Sequence, residues 1–215
     1  MNLAGVKSIV IPEGKAVKVT ADGVVLWQAV TSRLPAGYQE VEYIECSGKQ
    51  YIDTKFQPNQ DTRVVVDIQV TKLETSCLYG ARVSTSSAIY EFFLLNTGEF
   101  RADYGTSKSN IAVADPLARY LIDKNKHENY VGDIYDTNKT GTFTTPYNLM
   151  LFAVNTKGTG SSYCSAKLWM CQIYDNGTLV RDFVPCINPA GAAGLYDLVS
   201  GEFYGNSGTG SITYG

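Results

Sequence analysis

The sequence predicts an all-β chain: a two-sheet antiparallel sandwich of jelly-roll type with a short N-terminal β appendage. Three observations predict it. Period-two alternation of apolar and polar residues recurs along the 215 residues. Strong turn dipeptides, Asp22-Gly23 and Asn176-Gly177 among them, separate the alternating runs. Fifteen Tyr and eight Phe in a chain with only 18% charged residues suit half-buried strands rather than disorder or coiled coil. About a dozen short strands with almost no helix make a sandwich the expected architecture.

Taken in order, Ile9 and Ile11 precede the turn signal Pro12-Glu13-Gly14, Ala16 to Thr20 alternates, and Val24-Val25-Leu26-Trp27 returns as a strand after Asp22-Gly23. Three short strands cannot bury enough surface to stand alone, so residues 1–33 read as an attachment segment. A charge shift marks the same boundary: residues 1–33 hold four cations against two carboxylates, and the remainder holds 14 against 19. Residues 34–215 read as the main domain. Tyr38, Val41, Tyr43 and Ile44, followed by Gly48 and Tyr51-Ile52, read as a hairpin. Val64, Val66, Ile68 and Val70 share one face of a strand, with Arg63, Asp67 and Gln69 on the other. Ala88 to Leu95 is apolar on both faces apart from Glu91, as a central strand would be. Phe100, Ala102 and Tyr104 alternate with Glu99, Arg101 and Asp103.

Asp115 to Asp123 is the one helical candidate, with Asp115 as cap and Pro116 in the first turn, although its apolar spacing fits a strand equally. Leu168 to Tyr174, then Asp175-Asn176-Gly177, then Thr178 to Val184 is the clearest hairpin. Pro185 has no N–H for a ladder, so the strand is expected to end there or lie at an edge. Residues 194–198 and 202–204 bracket Val199-Ser200-Gly201 as a last hairpin.

The chemistry-bearing residues are sparse. The single histidine, His127, lies in a polar turn and reads as a solvated loop residue, so no Ser-His-Asp or Cys-His device is expected. Glu40 and Glu42 share one strand face, yet read as a solvent-facing edge rather than a glycosidase pair. No glycine-rich phosphate loop opens a helix. Five widely spaced cysteines without a Cys-x-x-Cys pair suit reduced, buried thiols and argue against zinc. Asp53, Asp61, Asp133 and Asp136 near strand ends leave room for a rim calcium, although no dedicated calcium loop is present. A net charge of −3 argues against nucleic acid, and no run of apolar residues is long enough for a membrane helix or a signal peptide.

Two longer segments, LPAGYQEVEYIECSGKQYIDT (34–54) and YDNGTLVRDFVPCINPAGAAGLYDLVSGEFYGNSG (174–208), with LYGAR (78–82) between them, resemble laminin-G-like (concanavalin A-like) jelly-roll domains of phage and prophage tail proteins and gut bacterial surface proteins. GVKSIVIPEGKAVKVTADGVVLWQ is similar to the short β segments that begin small phage tail components. The resemblance implies two packed antiparallel sheets and adhesion to a cell surface or glycan.

The resulting expectation is a non-catalytic binding module of a phage or prophage virion, assembled in the bacterial cytoplasm, that recognises a host glycan or surface protein. Arg101, Asp103, Tyr104, Asn110, Tyr147, Asn155 and Tyr163 are the candidate ligand contacts, because sugar faces stack on aromatic rings while carboxylates, amides and arginines bond hydroxyls. Residues 1–33, with Trp27, are expected to dock other virion proteins in a homo-oligomer, and no cofactor beyond that calcium is expected. The alternative is an assembly or decoration protein whose sandwich packs against other subunits. A glycan-degrading enzyme on the same sandwich is the third reading.

Overall fold

A computed structural model of the chain describes residues 18–21, 24–28, 33–137 and 141–215. Contacts divide the chain into two units, Met1–Pro35 and Ala36–Gly215. In the first, β1 (Lys18–Ala21) pairs antiparallel with β2 (Val24–Gln28), Ala21 opposite Val24 and Val19 opposite Trp27. The expected Ile9–Ile11 strand, the Pro12 turn and the side chain of Trp27 lie outside the described residues.

The second unit contains β3 (Gln39–Glu40), β4 (Ile44–Ser47), β5 (Ile52–Asp53), β6 (Thr62–Val70), β7 (Ser76–Ser84), β8 (Ser87–Leu94), β9 (Glu99–Gly105), β10 (Ser107–Ala112), β11 (Arg119–Lys124), β12 (Glu128–Val131) and β13 (Ile134–Thr137). It continues with β14 (Met150–Leu151), β15 (Val154–Thr156), β16 (Thr159–Ser161), β17 (Ser165–Asp175), β18 (Thr178–Ile187), β19 (Ala193–Asp197), β20 (Glu202–Tyr204) and β21 (Thr213–Tyr214). Among the described residues there is no helix. One sheet runs β10-β9-β8-β7-β14-β5, with β15 attached to β7 and β16 to β15; the other runs β13-β12-β11-β6-β17-β18-β19-β20, with β3, β4 and β21 on its flank. All but one of these pairings are antiparallel, the exception being β15 on β7. The architecture is a two-sheet jelly-roll sandwich.

Alternation explains how the sheets face each other. Val64, Val66, Ile68 and Val70 of β6 join Leu168, Cys171 and Ile173 of β17 against Tyr90, Phe92, Phe100 and Tyr104 of the facing sheet. Burial of these side chains, at roughly 25 cal/mol per Å² of apolar surface, is the main force holding the layers together. Five buried cysteines are free, and burial pushes every thiol up, so none is an activated nucleophile.

Three local expectations change. Asp115 to Asp123 is not helical: the Asp115 carboxylate accepts from Leu117 N at 2.9 Å in a tight turn, and Arg119–Lys124 then pairs with β6. The ladder on β6 outweighs the weak helical spacing. Residues 38–52 do not fold onto themselves: β3 pairs with β18, β4 with β17 and β21, and β5 with β14. Nor does β18 stop at Pro185. Its ladder to β17 ends at Phe183 and its ladder to β3 begins at Cys186, so Pro185 sits where no N–H is required on that side, and its carbonyl accepts from Val41 N at 3.1 Å.

Candidate functional site

At the loop end of the larger sheet, three segments distant in sequence line an open recess of about 580 Å³. Asp61 and Arg63 come from the start of β6, Asn125, Lys126, His127 and Glu128 from the β11–β12 turn, and Tyr174, Asn176 and Gly177 from the β17–β18 hairpin. Short-range chemistry makes each segment. Asn176 and Gly177 both adopt positive φ, 46° and 78°, as a two-residue hairpin turn requires. The Asn125 Oδ1 accepts from His127 N and Glu128 N at 2.8 and 3.0 Å, which closes the second turn.

The segments are braced to one another. Asn176 N donates to the Asp61 carbonyl at 3.1 Å, Asn59 Nδ2 donates to the Asp175 carboxylate at 3.0 Å, and Asp61 N donates to Asn59 Oδ1 at 2.7 Å. The cavity is therefore held open before any ligand arrives, which lowers the ordering cost of binding.

Its charges are matched in pairs. Arg63 Nε and Nη2 grip the Asp123 carboxylate at 2.8 and 2.6 Å, while the guanidinium lies 5.1 Å from the Tyr174 ring centre. Lys126 Nζ donates to Asp61 at 2.7 Å, and that hydrogen bond holds the Asp61 carboxyl below its ordinary value. Tyr174 is held by its hydroxyl on Gln172 Oε1 at 2.9 Å. The result is one aromatic ring among amides, hydroxyl-bonding carboxylates and compensated cations. Such a lining suits a neutral, polyhydroxylated ligand better than a free ion.

The seven candidates read from the sequence are not brought together in one place. Arg101 and Asp103 do meet, at 3.0 Å, in a cluster on the face of the smaller sheet turned away from the core. There Arg82 donates to both oxygens of Glu91 at 3.1 and 3.2 Å and to Thr156 at 2.9 Å, while Arg101 lies 4.8 Å from the Phe93 ring. Glu91 and Asp103 are fully buried, so this cluster is satisfied internally. Asn110 is the exposed cross-strand neighbour of Arg101. Tyr104 is a core residue whose hydroxyl donates to the Gln60 carbonyl at 2.6 Å. Asn155 is buried and bridges the Asn148 carbonyl and Gly158 N, both at 2.8 Å. Tyr147 stands in the loop before β14. Tyr163 lines a separate cleft with Tyr51, Lys49 and Gly208, the two rings 6.1 Å apart.

The cavity residues Arg63, Lys126 and Tyr174 were not among those candidates. The available signal was the polar face of β6 and the Asn-Gly turn. Of the expected calcium carboxylates, Asp53 pairs with Lys55 and Asp61 with Lys126. Among the described residues no group of three or more His, Cys, Asp or Glu is placed to hold a metal ion.

No family model matches the chain, and no curated protein matches it in sequence. Among solved structures it is similar to the Ruminococcus gnavus IT-sialidase CBM40, with a TM-score of 0.50 and 15% identity, over 66% of this chain and 92% of that one. By its name that neighbour is the CBM40 module of a sialidase. At this identity the likeness establishes the concanavalin-like sandwich fold.

Proposed function

We propose that the protein is a non-catalytic glycan-binding module whose ligand seats in the cavity formed by Asp61, Arg63, Lys126, His127, Tyr174 and Asn176. The observation that carries this reading is the cavity itself: a preformed polar recess with an aromatic ring, of a size that suits a small sugar. The carbohydrate-binding neighbour on the same fold supports it. The sequence resemblance to phage and prophage tail domains extends the proposal: the module serves a virion, made in the bacterial cytoplasm, with residues 1–33 attaching it to other particle proteins.

A glycan microarray probed with the full-length protein tests the reading. The expected result is binding to a defined subset of glycans, weakened about tenfold or more by Tyr174→Ala, since stacked aromatic anchors dominate such sites. Undiminished binding by Tyr174→Ala would sink the assignment to this cavity.

A further inference from the structure

The cavity opens onto the face of the larger sheet turned away from the core, and that face repeats its chemistry farther along β17. Arg119 grips Asp67 with Nε and Nη2, both at 2.7 Å, as Arg63 grips Asp123. The Arg119 guanidinium lies 4.0 Å from the Trp169 ring centre, as that of Arg63 lies over Tyr174. Both arginine side chains are 45% exposed. In each, the carboxylate takes Nε and Nη2, so the partly exposed guanidinium keeps its Nη1 edge beside an aromatic ring for a hydroxyl. Tyr43 extends the second cluster, its ring 5.1 Å from Trp169, and Lys167 Nζ donates to the Tyr43 hydroxyl at 3.2 Å.

Trp169 reaches this face because of a fault in the ladder. Leu168 pairs with Ile68 and Met170 with Asp67, so Trp169 is the extra residue of a β-bulge. The bulge lets Leu168 and Cys171 both face the core while Trp169 contacts Arg119 and Glu42 on the outside. Between the two clusters lie Gln172, Met170 and Leu121, the last 53% exposed. Met170 pairs with Asp67 and Tyr174 with Arg63, so four regular strand positions plus the bulge separate the two clusters, about 13 Å or more at roughly 3.3 Å per residue.

Resting on the proposed binding at the cavity, we infer that the ligand is an uncharged, extended glycan chain that runs along β17 from the cavity to a second subsite on Arg119, Trp169 and Tyr43. One sugar ring cannot bridge that distance; a chain can. Absence of charge follows from pairing: Arg63, Arg119 and Lys126 already have carboxylate partners, and Lys167 lies in the field of Glu45 and Glu42. An acidic sugar would have to compete for these cations, whereas hydroxyls bond the donors left over.

The test uses the full-length protein and uncharged oligosaccharide ladders, dimer to hexamer, of β-1,4-glucan, β-1,3-glucan, xylan and chitin type, with sialylated and uronate-bearing glycans beside them. Affinity for one ladder is expected to rise about tenfold or more from dimer to hexamer, with a salt dependence below about twofold. Trp169→Ala should abolish the gain in affinity with chain length. Arg119→Gln, on the exposed face, carries the same expectation should the tryptophan variant fail to fold. Binding restricted to acidic glycans, or binding indifferent to length and to both substitutions, overturns the inference and leaves the cavity reading standing. Dimer binding that survives Tyr174→Ala overturns the cavity reading instead, and no binding by the parent overturns both.

Discussion

Lys124 is wholly buried, and its ammonium reaches across the core to donate to the carbonyls of Glu91 and Asp103, with the Tyr90 ring centre 4.3 Å away. Burial pushes this ammonium down to about 7, and burial pushes the Glu91 carboxyl up to about 7. The two shifts act on stability in opposite directions. Between pH 4.5 and about 7, folded Glu91 keeps a proton that the unfolded chain has released, so its contribution is complete on the acid side and fades as pH rises. Between about 7 and 10.5, the unfolded chain keeps a proton on Lys124 that the folded chain has released, so stability recovers with rising pH. Glu91→Gln should therefore gain on the parent protein in melting temperature from about pH 5 to pH 7, since it lacks the fading term. A constant difference across that range would contradict the assignment. Tyr79 gives a simpler case: its hydroxyl is buried with no hydrogen-bond partner, so Tyr79→Phe should be neutral or stabilise by up to about 1 kcal/mol in urea denaturation.

At the scale of elements, the hairpins with Asn-Gly or acidic turn chemistry were legible in the sequence because their determinants are local. Asn176-Gly177 sets one turn, and Asp197 sets another by accepting from Val199 N, Ser200 N and Asp182 N at 3.1, 3.3 and 2.8 Å. Replacing Gly177 by Ala should cost about 1–2 kcal/mol, since its φ of 78° suits glycine and no neighbour crowds the site. Gly80→Ala should cost more than that, because a Cβ there would stand 2.6 Å from the Glu91 Cβ and 3.1 Å from its Cα. Chemical denaturation of the pair ranks the two causes. By contrast, the destinations of β3, β4 and β5 were not legible, since each pairs with a strand far away in sequence. The bulge at Trp169 was equally hidden, because alternation alone places Trp169 and Cys171 on one face. The recess was hidden for a related reason: Arg101 and Asp103 do meet, as strand neighbours can, whereas the recess is assembled from three turns that no local pattern links.

At the scale of the molecule, the residues of the cavity and of the β17 track all belong to the Ala36–Gly215 unit. Binding should therefore persist in a fragment spanning 36–215, with an affinity within about twofold of the full chain, because residues far from a hot spot contribute little. Loss of binding in a folded fragment would mean that the first unit takes part in recognition. The sandwich core, with aromatic residues from one sheet against aliphatic ones from the other, supplies a rigid base, so that small loops alone decide the chemistry at its rim. The most direct measurement of the central claim is the mapping of amide shifts by two-dimensional NMR as a glycan from the array is added to the full-length protein. The account predicts that the largest changes fall on Arg63, Lys126, His127, Tyr174 and Asn176, continuing toward Trp169 for longer chains. Changes confined to the Tyr51–Tyr163 cleft or to the Arg82–Glu91–Arg101 cluster would contradict it.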